Sequence, residues 1–453
     1  MPTPDTIAAV ATPPGRGGIG VVRVSGAKVE PLILALLDAV PAARHATYAT
    51  FRDADGAPID RGIALYFPAP GSYTGETVLE LHAHGSPAAL RRLLARCVEL
   101  GARLAEPGEF TRRAYLNGKV DLAQAESVAD LIDAATATAA RAAARSLTGE
   151  FSAAVHAMVA ALTELRMVTE ASLDFPEEDL EFVLAADAVT RLAALRADLA
   201  RLLARARTGV RLREGLTIVL AGAPNVGKSS LLNRLVREDA AIVSAVPGTT
   251  RDPVERPVEL GGIPLTIVDT AGLRDTDDPV ELIGIERTRA ALARADLTLL
   301  LVDARAQGAS LHPADARLLE QLPRAVPRII VHNKSDLAGA TPRIESRDAQ
   351  THAWTCALTG AGVAELEACM LAMAGIDAAG EDSFIARERH LCALREAAGH
   401  LVAAQEHLGA PVPPLELFAE ELSGAQRSLS TITGEFTADD LLGVIFSRFC
   451  IGK

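Results

Sequence analysis

Residues 216–229, LTIVLAGAPNVGKS, constrain the fold more than any other stretch of the chain. An apolar run of strand length ends on Gly222, and the loop it enters closes on Gly227, Lys228 and Ser229, the spacing GxxxxGK[ST] between a strand and a helix. Glycines let such a backbone curl so that its N–H groups, including those of Asn225, Val226 and Ser230, surround a phosphate. The lysine then brings a point charge to the β and γ oxygens, and the serine hydroxyl a ligand to Mg²⁺. A glycine-rich turn without a ligand produces the same short text, so the surrounding sequence has to decide.

From about Gly215 to Gly375 the runs LTIVLAG, LTIVDT, LTLLLVD and RIIVHN alternate with helical stretches, which predicts a parallel sheet with crossover helices. Two further motifs sit at carboxyl ends of those strands, where open sheets bind ligands. Asp269-Thr270-Ala271-Gly272 places a carboxylate near Mg²⁺ and a glycine N–H near a γ-phosphate. Asn333-Lys334-Ser335-Asp336 ends on a carboxylate that can accept from N1 and N2 of guanine, donors that adenine lacks. The three motifs in this order predict GTP binding. Here the chain resembles translation-factor-type GTPases: Gly248-Thr249-Thr250-Arg251-Asp252 matches their first switch, with Thr250 as a second Mg²⁺ hydroxyl. Thr355-Cys356-Ala357-Leu358 falls where they read guanine through backbone N–H groups, with Cys356 in place of the usual serine.

After DTAG stands Leu273, where Ras-like enzymes carry a water-orienting glutamine. An aliphatic side chain cannot hold water, so hydrolysis is negligible or another group substitutes. Asp275, Asp277, Asp278, Glu281 and Glu286 are the nearby candidates. Asn225 in the phosphate loop marks certain GTPases that use K⁺ in place of an arginine finger.

Outside this zone, residues 1–118 are rich in Gly and Pro, with β-like runs IGVVRVSG, IALYF and TVLELHAH, and read as an α+β domain. Beyond Lys119, DLAQAESVADLIDAATATAARAAARSL carries apolar residues at Leu122, Ala125, Val128, Ala129 and Ile132, an amphipathic helical spacing that later segments share. The expected architecture is multidomain: residues 1–118, an all-α domain from 119–210 and 376–453, and an inserted α/β P-loop G domain over 215–375.

At 453 residues and a net charge of −13, several domains and no bulk nucleic-acid binding are expected. The arginine run from Arg191 to Arg213 reads either as a solvated helix face or as an RNA contact. Five scattered cysteines without a CxxC pair, no apolar run near 18 residues and no signal-like start predict a cytoplasmic protein with no membrane contact. Cys97, Cys369 and Cys392 read as core, and His82 and His84, sharing a strand face, as structural rather than as a metal pair.

The texts DTIAAVATPPGRGGIGVVRVSG, GSYTGETVLELHAHG, EPGEFTRRAYLNGKVDLAQAESVADLIDA, GTTRD, DTAGLR and terminal FCIGK, with GAPNVGKSSLLN, closely resemble the tRNA modification GTPases of the MnmE (TrmE) family over essentially the full length. The resemblance implies a homodimer whose N-terminal domain binds 5-formyltetrahydrofolate or a related reduced folate through Arg23, Glu80, Lys119 and Lys453. It selects Glu281 to position water, and places K⁺ on Asn225, Ser244, Val246 and Thr249, within a nucleotide-contacting switch that includes Ala245 and Pro247. It further implies a hetero-oligomer with an FAD-dependent partner of the MnmG type. Together the two would add a carboxymethylaminomethyl or aminomethyl group to C5 of the wobble uridine, position 34, of certain tRNAs, with Cys450 as a functional thiol. A GTP-switched assembly factor and a folate-dependent one-carbon transferase regulated by GTP are the alternatives.

Overall fold

The structure, a computed structural model, describes residues 5–174, 181–235, 257–269, 295–306, 311–322, 326–347, 350–375, 383–435, 445–447, 449, 450 and 452. It forms two compact units, Met1–Ile132 with Ser146–Leu199 and Ala393–Lys453, and Asp133–Arg145 with Ala200–Cys392.

The first unit holds a six-stranded sheet built from β1 (Ile7–Val10), β2 (Gly17–Ser25), β3 (Thr47–Arg52), β4 (Pro58–Phe67), β5 (Val78–Gly85) and β6 (Arg103–Leu104), in the order β3-β4-β5-β2-β1-β6. Alternation along the strands sorts the two faces. Val22, Val24, Leu79 and Leu81 turn inward onto helices α1 (Val29–Leu37) and α2 (Pro87–Glu99), joining Leu32, Ile33, Leu36, Leu90 and Leu93 in one core. Cys97 lies in that core as expected, and burial pushes its thiol up to about 12. The intervening residues point the other way, so Arg23 of β2 stands directly opposite Glu80 of β5 on the second face, where Ile7 and Ala9 of β1 are buried with Ala105 and Phe110. Helix α3 (Glu109–Leu116) follows β6.

The amphipathic stretch after Lys119 departs from the expected pattern. It divides into α4 (Leu122–Asp133) and α5 (Ala137–Leu147) because Thr136 caps the second helix, its Oγ1 accepting from Ala139 N at 3.0 Å while donating to Gly262 O at 2.8 Å. The buried stripe of α4 also differs. Glu126 and Asp130 are buried with Leu122 and Ala125, whereas Ile132 is 45 % exposed. Helix α6 (Glu150–Asp174) contains Glu150–Leu173, a stretch long and apolar enough by composition to cross a membrane. Helix α7 (Glu181–Glu214) carries the arginine run. Arg191 pairs with Asp187 at 2.8 Å, Arg205 lies over the Phe384 ring at 4.7 Å, Arg211 meets Asp296 at 2.5 Å and Arg213 meets Glu214 at 3.3 Å. These intramolecular partners favour the structural reading of that run.

In the second unit, β7 (Leu216–Gly222) leads through the phosphate-type loop into α8 (Lys228–Leu235). It joins β8 (Pro257–Leu260), β9 (Ile263–Asp269), β10 (Leu297–Asp303), β11 (Arg328–Asn333), β12 (Arg343–Arg347) and β13 (Gln350–Trp354) in the order β12-β13-β11-β10-β7-β9-β8. The five inner strands are parallel, and β8 and β12 close the edges antiparallel. Buried on both faces, β10 reads LTLLLVD without alternation, as a central parallel strand must. Helix α9 (Pro313–Gln321) lies in the crossover from β10 to β11, and α10 (Val363–Met373) follows β13. The registers Leu301 with Gly222, Leu220 with Asp269 and Asp303 with Asn333 bring the motif-bearing strand ends to one edge of the sheet.

After α11 (Glu388–Leu408), helix α12 (Leu415–Thr433) packs along α6. Two cysteines expected in the core are not there: Cys369 is half-buried and Cys392 exposed, since each falls off the apolar stripe of its helix. The C-terminal segment buries Ile445, Phe446 and Phe449 against Leu122 and Ala125. It also reaches the N-terminal sheet of its own chain, where Gly452, at φ 98, has no room for a side chain beside the Val10 carbonyl.

Candidate functional site

The loop after β7 is shaped by two residues in the left-handed region, Asn225 at φ 60 and Gly227 at φ 102. Asparagine tolerates that region better than most residues. Gly227 is required for a second reason, since a side chain there would run into Asn333 Nδ2. Lys228 begins α8 and its Nζ donates to Gly222 O at 2.7 Å and Ala223 O at 3.3 Å, which holds the ammonium across the loop mouth. Ser229 and Ser230 are exposed at the helix N-terminus, where backbone N–H groups and the helix dipole favour an anion. Curled backbone, lysine and exposed hydroxyl at one helix start fit a nucleotide phosphate with its Mg²⁺.

Tertiary hydrogen bonds fasten the second motif to this loop. Asn333 Nδ2 donates to Val226 O at 2.8 Å, and Lys334 Nζ to Asn225 O at 2.7 Å. Lys334 sits at φ 61, an unfavourable region for a lysine, and is held there partly by Asp303 at 2.8 Å. The Asp303 carboxyl is kept far below the usual carboxylate range, first by Arg305 and then by Lys334. Sequence reading missed Asp303, although a lone carboxylate closing the apolar run LTLLLVD is a readable signal. Asp336 is exposed beside this cluster, available to a base.

The third segment closes on the same strand end. Thr355 N donates to His332 O at 3.0 Å, Ser335 N to Thr355 O at 3.1 Å and Ala357 N to Asn333 Oδ1 at 2.9 Å. Cys356 is buried and makes its loop contacts through the backbone, so its thiol stands in for serine without facing a ligand. Leu358 is 81 % exposed, and its N–H has no acceptor among the described residues. The strand end of Asp269 lies next to Leu220 by register. Ser244, Ala245, Val246, Pro247, Gly248, Thr249, Thr250, Thr270, Ala271, Gly272, Leu273 and Glu281 lie outside the described residues.

On the second face of the first sheet, Arg23 Nε donates to Glu80 Oε1 at 2.8 Å and His82 Nε2 meets Glu80 Oε2 at 3.3 Å. The Arg23 and Glu80 side chains are only 23 % and 18 % exposed, far from the open strand surface that alternation alone suggests. The Arg23 guanidinium sits 5.7 Å from the Tyr73 ring and 5.6 Å from the Phe110 ring. Neither ring was legible as a site residue in the sequence. Lys119 Nζ donates to Pro70 O at 3.1 Å, and Gly75 leaves room for the lysine stem. A carboxylate, a guanidinium between two rings and a tethered ammonium fit a flat heterocycle with an anionic tail. His84 pairs with Asp60 at 2.9 Å, and no metal-type cluster exists among the described residues. Cys450 is exposed, and its carbonyl accepts from Gly108 N at 3.3 Å, two residues before Phe110. Lys453 lies outside the described residues.

Comparison with known proteins covers both regions. Residues 122–450 match the family described as the MnmE helical domain, and residues 6–119 the GTP-binding protein TrmE N-terminus. The tRNA modification GTPase MnmE of Thiobacillus denitrificans is 57% identical over 452 residues, covering 100% of this chain and 99% of that one. The protein of the same name from Ralstonia nicotianae is 57% identical over 458 residues, covering 99% and 96%. Among solved structures, the G domain of the T. maritima FeoB iron transporter is 26% identical with a TM-score of 0.26, over 35% of this chain and 98% of that one.

Proposed function

The chain belongs to the MnmE family of tRNA modification GTPases, and from that premise we propose that it hydrolyses GTP with K⁺ stimulation to drive modification of the wobble uridine of certain tRNAs. The observation that carries the reading is the pair of bonds from Asn333 and Lys334 to the carbonyls of Val226 and Asn225, which build base and phosphate recognition into one rigid edge. GTP laid along that edge meets Asp336 at its base and the α8 N-terminus at its phosphates. Lys228 leaves its two loop carbonyls for the β and γ oxygens, and Ser229 offers its hydroxyl to Mg²⁺. Glu281 orients the attacking water in place of the glutamine that Leu273 displaces. Asn225, Ser244, Val246 and Thr249 would hold K⁺, which would supply a positive charge to offset the negative charge that develops on the phosphate oxygens in the transition state. Hydrolysis is expected to be at least about tenfold faster in K⁺ than in Na⁺ at equal ionic strength, the effect of about 1.4 kcal/mol of transition-state stabilisation. Equal rates in a phosphate-release assay would remove the K⁺ reading.

In the same proposal the chain works as a homodimer and in a hetero-oligomer with an FAD-dependent partner of the MnmG type, in the cytoplasm, adding a carboxymethylaminomethyl or aminomethyl group at C5 of uridine 34. Arg23, Glu80, Lys119 and Lys453 hold a reduced folate such as 5-formyltetrahydrofolate, which supplies a one-carbon unit when bound. Glu80 takes the donor edge of the heterocycle and the cations its anionic tail, while Tyr73 and Phe110 keep the Arg23 guanidinium in place. Cys450 is exposed beside the start of α3, the helix that carries Phe110, which supports a role for its thiol at this site. Cys450→Ser is expected to abolish the tRNA product, read by mass spectrometry of nucleosides, while GTP hydrolysis stays within about twofold. Parallel loss of both activities would make the tail structural.

A further inference from the structure

We infer that Arg234 is a positioning residue for guanine recognition, fixing the base-reading loop to the phosphate-binding helix; this rests on the GTPase reading above. Arg234 lies in the last turn of α8, whose first turn carries Lys228 and Ser229. Its Nη2 donates to Leu358 O at 2.8 Å. The guanidinium also lies flat on Gly360, where a Cβ would sit 3.3 Å from its Cζ, Nε and Nη2.

The loop is held unevenly without it. Its inner end is tied to β11 through Thr355, Ser335 and Ala357, and Cys356 N donates to Ala361 O and accepts Gly360 N on its own carbonyl, both at 2.8 Å. The exposed tip at Leu358 receives its hydrogen bond from Arg234. Ala357 N–H is engaged by Asn333, whereas Leu358 N–H is uncommitted among the described residues. The residue whose carbonyl Arg234 grips is therefore one whose N–H can turn to a base. A flat, multidentate guanidinium suits this work, because it holds a carbonyl and covers a glycine in one geometry. Helix α8 thus transmits its position to the loop, so that phosphate and base are read at a fixed spacing.

The test compares GDP with 2-aminopurine riboside 5′-diphosphate, which keeps ribose and phosphates but lacks the 6-oxo group that loop N–H groups read. Affinities are measured on the full chain by titration calorimetry for the unsubstituted protein, Arg234→Gln and Arg234→Lys. Arg234→Gln is expected to weaken GDP binding about three- to tenfold, the scale of one exposed hydrogen bond to a carbonyl, and to leave the analogue unchanged. Arg234→Lys, able to donate to Leu358 O but not to cover Gly360, is expected to recover part of the loss. Equal weakening of both ligands would reduce Arg234 to a general stabiliser of α8 and overturn the inference, as would unchanged GDP affinity. Failure of the unsubstituted chain to bind GDP would remove the GTPase reading and this inference with it.

Discussion

Replacing Asp336 with asparagine is expected to exchange the base preference of the site. The exposed carboxylate is the acceptor for both N1–H and N2–H of guanine, and a neutral amide turns one of its two positions into a donor. Two charge-assisted hydrogen bonds are lost, each about 1.5–3 kcal/mol, so GTP affinity should fall by about 10²-fold or more. Xanthine carries a 2-oxo group where guanine has its amine, so Asp336→Asn should bind xanthosine triphosphate in preference to GTP. Competition against a fluorescent guanine nucleotide reads both affinities. The bonds from Asn333 and Lys334 to the phosphate loop are untouched by this substitution, so hydrolysis of the xanthine nucleotide should approach the original rate. A variant that binds neither nucleotide would show that Asp336 holds the loop rather than reads the base.

The second large effect lies in the first unit, at Arg113. Its side chain is 6 % exposed and bonds Glu109 at 2.9 Å, Glu76 at 3.0 Å and Asp5 at 2.7 Å, while Arg103 bonds both oxygens of Glu109 and the other oxygen of Asp5. These contacts join the start of β1, the Tyr73–Glu76 turn and α3, the frame on which Tyr73 and Phe110 flank Arg23. Arg113→Met leaves the buried Glu109 and the half-buried Glu76 short of a cation and should cost about 3 kcal/mol in urea unfolding of this unit. Adding Glu76→Gln should recover part of that loss, because one uncompensated charge is then removed; a fully additive double variant would mean that the two groups do not interact.

The same network fixes the response to acid. Burial alone would raise the Asp5 and Glu109 carboxyls. For Asp5 the Arg103 and Arg113 guanidiniums prevail, and for Glu109 those two with the Glu106 N–H, so each titrates below its ordinary value of 3.8 or 4.5. Folded-state values below unfolded ones mean that the stabilisation is complete above about pH 4.5 and is lost as pH falls through the depressed folded values. Unfolding midpoints should therefore drop on acidification below pH 4.5 in the unsubstituted chain, and less steeply in Arg113→Met.

What was legible in the sequence, and what was not, follows from the range of the forces involved. The strand runs of the second sheet and the phosphate loop are local: a buried parallel strand must be apolar throughout, and a loop that curls must place glycine where a side chain collides. Motif spacing likewise carried the base-reading segments, because strand ends of a parallel sheet share one edge whatever the loops between them do. The amphipathic spacing from Leu122 to Ile132 falls within one helix, but where that helix ends was not legible, because one hydroxyl, Thr136, is shared between the cap of the next helix and the Gly262 carbonyl 126 residues away in sequence. Cys392 was misplaced because apolar neighbours in sequence do not say which helix face finds a partner.

By itself the sequence determined the element types, the nucleotide class and the family, since each depends on short-range pattern or on text preserved along the whole chain. Only the tertiary structure decided that Arg23 pairs with Glu80 between two aromatic rings, that Asp303 holds Lys334, and that Arg234 reaches Leu358. Those contacts join residues far apart in sequence, and their geometry comes from strand register and helix placement, which no local spacing encodes.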